Sequence, residues 1–351
     1  GLDMGAGIRV IAGGVATYAY TTEISAGGLM KVAGTVAQAV GCGSGASIRP
    51  LRERNLSQFH PAHRPPFGVS LIEKLELANR LDGWARAESS RVTDIRVFYS
   101  DVEQSFTVAN SDGRMVSDRR SRVRVYTQVV VDRNESRRLA VGPGACAGFE
   151  FFAERDLEAD IRAIVGKVLR MQEAQPAAGG EFPIILGAGY GGLLFHEACG
   201  HSLEAEAVAR RGSVFRAEQI GTQIAAPVLT LVDDATVPGA WGSFHVDDEG
   251  TPAHRTVMIE NGVLRALLVD RHNGAHLGLP ANGAASSTLS QICTPSVPMQ
   301  YSAKQWGMPE WPSRSTAFRD SRTPQTGAQS SARRTMSASS SATSSGVHAA
   351  H

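Results

Sequence analysis

Cysteine is scarce and scattered. The 351 residues hold four, Cys42, Cys146, Cys199 and Cys293, with no CxxC pair. That argues against a disulfide scaffold or a cysteine-cluster zinc site and suits a reducing compartment, here the cytoplasm. No apolar run reaches the roughly 18 residues of a membrane-spanning helix, so no membrane partner is expected. Neither charge sign dominates. The net charge of +1 gives no global attraction to nucleic acid or anionic lipid. Arg114, Arg119, Arg120, Arg122 and Arg124 crowd one stretch, but aromatics do not interleave with them as a base-stacking platform requires. A solvated sheet face is the expectation for them. A signal peptide pattern is missing. The chain opens Gly1-Leu2-Asp3 without Met and runs at once into strand-like sequence, which reads as a fragment. What remains is 42% hydrophobic, enough to bury a core, over a length that suggests two or three domains.

Taken in order, Ile8 to Ala12 and Ala16 to Tyr20 read as short strands around Gly13-Gly14, and Ser25 as the cap of a helix with Leu29, Val32, Ala33, Val36 and Val40 on one stripe. Residues 41 to 67 read as a loop whose His60 and His63 are solvated. Ser70-Leu71-Ile72-Glu73 has the form of a capping box, opening a helix with Leu71, Leu75, Ala78 and Leu81 on its apolar face. From Val92 the period becomes alternating. Ile95–Tyr99, Gln104–Val108 and Val123–Val129 read as strands of an antiparallel meander, with Asp112-Gly113 as a turn. Asp156 to Glu173 is a helix whose stripe is Leu157, Ile161, Ile164, Val165 and Val168. Gln175 to Gly180 breaks the pattern. Beyond it come the strand Phe182 to Leu186, a glycine cluster, a buried-type strand from Val228 to Val232 ending at Asp233-Asp234, and a hairpin turned at Asn261-Gly262. After about Asn282 the chain is serine-rich with no sustained apolar period, a composition that cannot offset its ordering entropy. The expected architecture is therefore α+β. An N-terminal helix plus antiparallel-sheet domain covers 1–175, and a mostly-β domain covers 181–283. A disordered or out-of-frame tail covers 284–351.

Two readings compete over the glycine cluster and the residues after it. Gly187-Ala188-Gly189-Tyr190-Gly191-Gly192 matches G-x-G-x-x-G. The dinucleotide fingerprint also asks for an acidic ribose ligand about 20 residues on, and the next convincing strand ends only at Asp233. A nucleotide-dependent oxidoreductase thus rests on the glycines alone. The second reading rests on His196-Glu197-Ala198-Cys199-Gly200-His201. Neutral imidazoles are good zinc ligands, and a carboxylate beside a ligand can take a proton from water at the metal. The spacing is H-E-x-x-x-H. At about 100° per residue, positions five apart diverge by roughly 140° on a regular helix. A shared metal therefore requires either that the helix end at Gly200 or that a π-turn absorb the extra residue. Cys199, between the histidines, is expected to be packing. His245, His254, His272 and His276 are expected to be ordinary strand or loop residues. Asp247, Asp248 and Glu249 either shape a cleft or lie solvated on a hairpin.

The stretch Gly191 to Glu204 resembles the Gly-rich entry, histidine motif and following Leu-Glu of the TldD/PmbA metallopeptidases, with Ser202 where glycine is usual. Val232-Asp233-Asp234, Asp247 to Pro252, Ile259 to Gly262 and, more loosely, Asp270 to Ala275 also match in order, as do Gly5 to Ile11 and Ala109 to Gly113 upstream. The resemblance covers about residues 1 to 283 and is to the motif-bearing TldD type. It implies a zinc-dependent peptidase acting on small or unfolded peptides, with His196 and His201 as zinc ligands and Glu197 as general base. It also implies a cytoplasmic pairing with a PmbA-like subunit or a second copy, and no nucleic acid. The family's third ligand is a cysteine in a Gly-rich block near the C-terminus, and no such block is found here. Cys293 lacks the context. Weak zinc binding and little activity are therefore expected, and the alternative is a catalytically silent subunit that binds a related chain.

Overall fold

The computed structural model describes residues 2–41, 49–54, 56, 60–132, 137–176, 179–186, 190–283, 291–293 and 300–301. The first hairpin pairs β1 (Ala6–Ala12) with β2 (Val15–Thr21) through Gly13-Gly14, both at positive φ. Helix α1 (Ala26–Val40) follows. Ser25 Oγ accepts the Gly28 N–H at 3.1 Å, and Gly41 closes the helix in the left-handed region, as αL caps do. The expected stripe of α1 is its less exposed face, with Val36 fully buried. Most of residues 41–67 is irregular where described, apart from β3 (Arg52–Glu53).

The next layer comprises α2 (Leu71–Glu88), β4 (Val92–Ala109), β5 (Arg114–Val131), β6 (Arg137–Val141), β7 (Gly144–Ala145), α3 (Phe151–Glu154) and α4 (Leu157–Glu173). Strand β5 is the hub. It pairs antiparallel with β4, β6 and β7 and parallel with β3. Its alternation puts Val123, Val125, Val129 and Val131 at 1% exposure or less, facing Leu77, Leu81 and Ala85 of α2 and Ile161, Val165 and Val168 of α4. The stripe of α4 is as the spacing predicts, and Asp156 caps it by accepting the Ala159 N–H at 2.9 Å. Two details differ from the sequence reading. Ser70 does accept the Glu73 N–H, but Leu71 and Leu75 of α2 are exposed at 80% and 57%. The buried face runs through Leu77, Leu81 and Ala85, so Leu81 keeps its expected place while Leu77 and Ala85, at i−4 and i+4 from it, take the place of Leu71 and Leu75. The strands expected at Ile95–Tyr99 and Gln104–Val108 are two halves of β4. The charges between them are matched rather than turned out, since Asp101 pairs with Lys74 at 2.5 Å and Glu103 with Arg119. The pairing runs unbroken to the turn at Gly113, whose φ is +81° and whose missing Cβ would meet the Pro50 carbonyl oxygen.

A second core gathers Phe195, Cys199, Leu203, Ala205, Leu231, Met258, Leu264 and Leu267. It is built from α5 (Tyr190–Phe195), α6 (Ala205–Ala209), β9 (Leu231–Asp234), β10 (Arg255–Glu260), β11 (Val263–Leu264) and α7 (Arg271–Leu277). The sheet order is β11-β10-β9-β12, where β12 is Gln291–Cys293. β10 and β11 are joined by Asn261 and Gly262, both at positive φ, the type I′ requirement that Asn-Gly meets. The strand expected at Phe182 to Leu186 is confined to β8 (Ile184–Ile185), paired with β13 (Gln300–Tyr301). The rest of the expected tail, with Cys42 and Gly187 to Gly189, lies outside the described residues. Overall the fold is α+β. Among the described residues no helix is long and apolar enough to cross a membrane.

Of the five arginines expected on a solvated face, Arg119 is exposed at 58%, but the other four are covered. Arg114 donates to the Gly250 carbonyl at 2.8 Å and Arg122 to that of Trp241 at 3.1 Å, while Arg124 lies over the Trp241 ring. Arg120, 5% exposed, reaches Asp118, Asp248 and the Val246 carbonyl, with its guanidinium over Phe106 and Phe244. Strand β5 thus carries one apolar face for the helices and one cationic face for the segment 239–251. The alternating pattern, read alone, could not show that the polar face was also covered.

Candidate metal centre

Helix α5 ends in an irregularity. Residues His196–Gly200 form a π-turn, closed by the His201 N–H donating to the His196 carbonyl, and His201–Leu203 continue as a 3₁₀ turn. An i to i+5 bond absorbs one extra residue per turn, which brings positions five apart onto a common side. Of the two devices the spacing allowed, the π-turn is the one present. Gly200 keeps right-handed dihedrals (φ −56°, ψ −55°) and is buried, so its freedom to turn left is unused. The turn is pinned from beneath. Phe195 and Cys199 sit in the second core, and the Cys199 thiol donates to the Phe195 carbonyl at 3.3 Å. Burial pushes that thiol up to about 11, so it stays protonated and packs, as expected.

On the outer side the rings of His196 and His201 meet edge to face, with centroids 4.5 Å apart and planes at 73°. His196, Glu197 and His201 each present a ligand atom, and these lie within 4.8 Å of one another. His196 is half-buried and the other two are exposed. His201 Nδ1 lies 2.8 Å from Glu204 Oε1. The three site residues expected from the sequence are therefore brought together. His254 is exposed, and His272 and His276 meet edge to face along α7. Among the described residues neither they nor His245 join the His196 group.

Sequence reasoning missed a second histidine–carboxylate centre. His245 Nδ1 lies 2.7 Å from Asp118 Oδ1, both side chains 1% exposed. The backbone N–H of His60 donates to His245 Nε2 at 3.2 Å. That requires a bare Nε2 and leaves the ring proton on Nδ1, facing Asp118. His60, expected on a solvated loop, is 6% exposed, its ring 4.9 Å from that of His245. Burial, and then the His245 neighbour, lower His60 from 6.5 to about 4. For Asp118 burial pushes upward, but the hydrogen bond and charge of His245 and the charge of Arg120 together hold the carboxyl below its usual range. The acidic triplet belongs here too. Asp247 and Glu249 are buried, and Glu249 takes Arg9 and the Arg271 N–H. Glu249 thus ties β1 to α7, Asp247 accepts the Glu249 and Thr251 N–H groups of its own turn, and Asp248, 49% exposed, reaches Arg120 of β5. Partners 127 residues apart leave no local pattern by which to find them.

Two imidazoles and a carboxylate are thus gathered on one side of an irregular helix, close enough to hold a metal ion. Residues 64–172 match the PmbA/TldA metallopeptidase central domain and residues 179–310 its C-terminal domain. The chain is 32% identical over 291 residues to the metalloprotease TldD homolog of Haemophilus influenzae, covering 80% of this chain and 60% of that protein. It is also 32% identical over 290 residues to a metalloprotease of Methanothermobacter thermautotrophicus, covering 80% and 61%. In fold it is similar to TldE from Thermococcus kodakarensis, with a TM-score of 0.59 and 19% identity over 82% of this chain and 65% of that one. The chain belongs to the PmbA/TldD metallopeptidase family. It spans about 60% of the length of the curated relatives it matches.

Proposed function

We propose that this chain is the motif-bearing, TldD-type subunit of a zinc peptidase that hydrolyses small or unfolded peptides. The observation that carries this is the π-turn gathering of His196, Glu197 and His201. The donor set fits zinc. Two nitrogens at about 2.0–2.1 Å from one ion lie at most about 4.2 Å apart, so from within 4.8 Å a small rotation of the rings closes the site. A bound zinc would supply Lewis acidity to the scissile carbonyl. His196 and His201 would hold it through one ring nitrogen each. The Glu197 carboxylate, exposed beside them, would take the proton of the attacking water and return it to the leaving amine. A three-ligand catalytic site asks for one donor more, to come from outside the described residues or from a partner chain. Pairing with a PmbA-like subunit or a second copy fits that need, and a reducing cytoplasm suits the free, buried Cys146 and Cys199.

The test is metal content of the purified full chain together with cleavage of an unfolded casein. The chain alone is expected to hold zinc weakly and cleave little; with a partner chain that supplies the further donor, one zinc per chain and cleavage falling about 10²–10⁴-fold in Glu197→Gln with metal retained is the expected result. Cleavage unaffected by Glu197→Gln would overturn it. A second reading, a silent subunit, is favoured by the two-imidazole group among the described residues. Stoichiometric zinc without cleavage, alone or with a PmbA-like partner, would select it.

A further inference from the structure

Glu204 stands at the N-cap of α6, where Ser, Thr, Asp and Asn are preferred because their short side chains reach the first free N–H groups. Its side chain makes no such cap. The carboxylate turns back instead and meets Nδ1 of His201 at 2.8 Å. The backbone beneath it is fixed on both sides. Leu203 and Ala205 are fully buried, the Leu268 N–H donates to the Leu203 carbonyl at 2.9 Å, and the Ala205 N–H donates to the Leu268 carbonyl at 2.7 Å. His201 is held equally by its N–H bond across the π-turn. Two anchored backbones therefore present a carboxylate to one nitrogen of an otherwise exposed ring.

We propose that Glu204 is the positioning residue of the metal site: it fixes the Nδ1–H tautomer of His201 and its ring orientation, so that Nε2 is the ligand atom. The inference rests on the zinc reading given above. A carboxylate on the far nitrogen sets the tautomer of a ligating imidazole and raises its basicity, and loss of such a partner typically weakens metal affinity 10–100-fold. The His245–Asp118 pair makes the contrast. It has the same Nδ1–carboxylate bond, but its Nε2 is taken by the His60 N–H. On His201, among the described residues, Nε2 carries no hydrogen bond.

The experiment uses the full chain labelled with ¹⁵N-histidine. At a pH well above the ordinary histidine value of about 6.5, the metal-free wild type should show His201 with the proton on Nδ1 and a bare Nε2. Glu204→Ala should show a mixture of tautomers. Chelator competition with zinc should give about 10–100-fold weaker binding for Glu204→Ala. Glu204→Gln, whose amide oxygen still accepts from Nδ1–H, should restore the tautomer and part of the affinity. Wild-type zinc affinity retained in Glu204→Ala, or a wild type with the proton on Nε2, overturns the inference alone. A wild type that binds no zinc overturns the metal reading and this inference with it. Should Glu204→Ala lose its fold, the wild-type tautomer and the Glu204→Gln affinity decide.

Discussion

Among the described residues the same chemical pair occurs twice. His201–Glu204 and His245–Asp118 are both imidazole–carboxylate hydrogen bonds, at 2.8 and 2.7 Å. The first is built from residues three apart, with side chains 54% and 34% exposed. The second joins residues 127 apart, each side chain 1% exposed. Exposure decides what each can do. Water and ligands reach the first, and its second ring nitrogen has no hydrogen-bond partner among the described residues. The second has both ring nitrogens engaged and a guanidinium alongside, so its work is to join β5 to the segment carrying Val246. The buried pair is a fastening, and the exposed one is suited to be part of a site.

That contrast can be broken by experiment. The largest effect on stability is expected at Asp118. Asp118→Ala leaves His245 buried without its carboxylate and Arg120 with only Asp248 as a carboxylate partner, and breaking a buried pair costs about 3–5 kcal/mol. Urea unfolding measures it, and a loss under about 1 kcal/mol would place the pair with surface bridges. Next comes pH. The unfolded chain takes up a proton on His60 near 6.5, the folded chain only at about 4. Stability from this ring is therefore complete above about 6.5 and is lost as pH falls through that window. The loss approaches about 1.4 kcal/mol per unit and about 3 kcal/mol in all. The stability advantage of the wild type over His60→Asn should shrink by that amount from pH 7 to 4. An advantage independent of pH would show that His60 is not buried as a neutral ring. The smallest effect is at a solvent-side device, the Asp156 cap of α4. Asp156→Ala should lower stability by about 1 kcal/mol and leave zinc binding unchanged.

How much is legible in the sequence divides along the same line. The stripes of α1 and α4, the Ser25 and Ser70 caps and the Asn261-Gly262 turn are local, and spacing alone gives each of them correctly. It also gives the need for a helix irregularity between His196 and His201, since angular arithmetic demands it. Glu204 is visible in the motif but takes no role there, although its i+3 offset from His201 is the available signal. The phase of α2 is misread at Leu71 and Leu75, though not at Leu81, because they are as apolar as Leu77 and only tertiary packing chooses between them. The burial of His60, Arg120, Asp247 and Glu249 is not legible. Each looks polar and solvated in sequence and is paired only after the chain closes on itself.

The π-turn carries one more implication, a matter of phasing. Residues His201 to Leu203 are set about 100° out of step with what an uninterrupted helix from α5 would present, before the extended Glu204 starts α6 afresh. Leu203 meets the second core in that delayed phase. With the commoner four-residue histidine spacing the same helical arithmetic would turn Leu203 away from the core. The five-residue spacing is thus recorded twice in the molecule, on the outer side by the histidines and on the inner side by the hydrophobic contacts, and neither record can change alone.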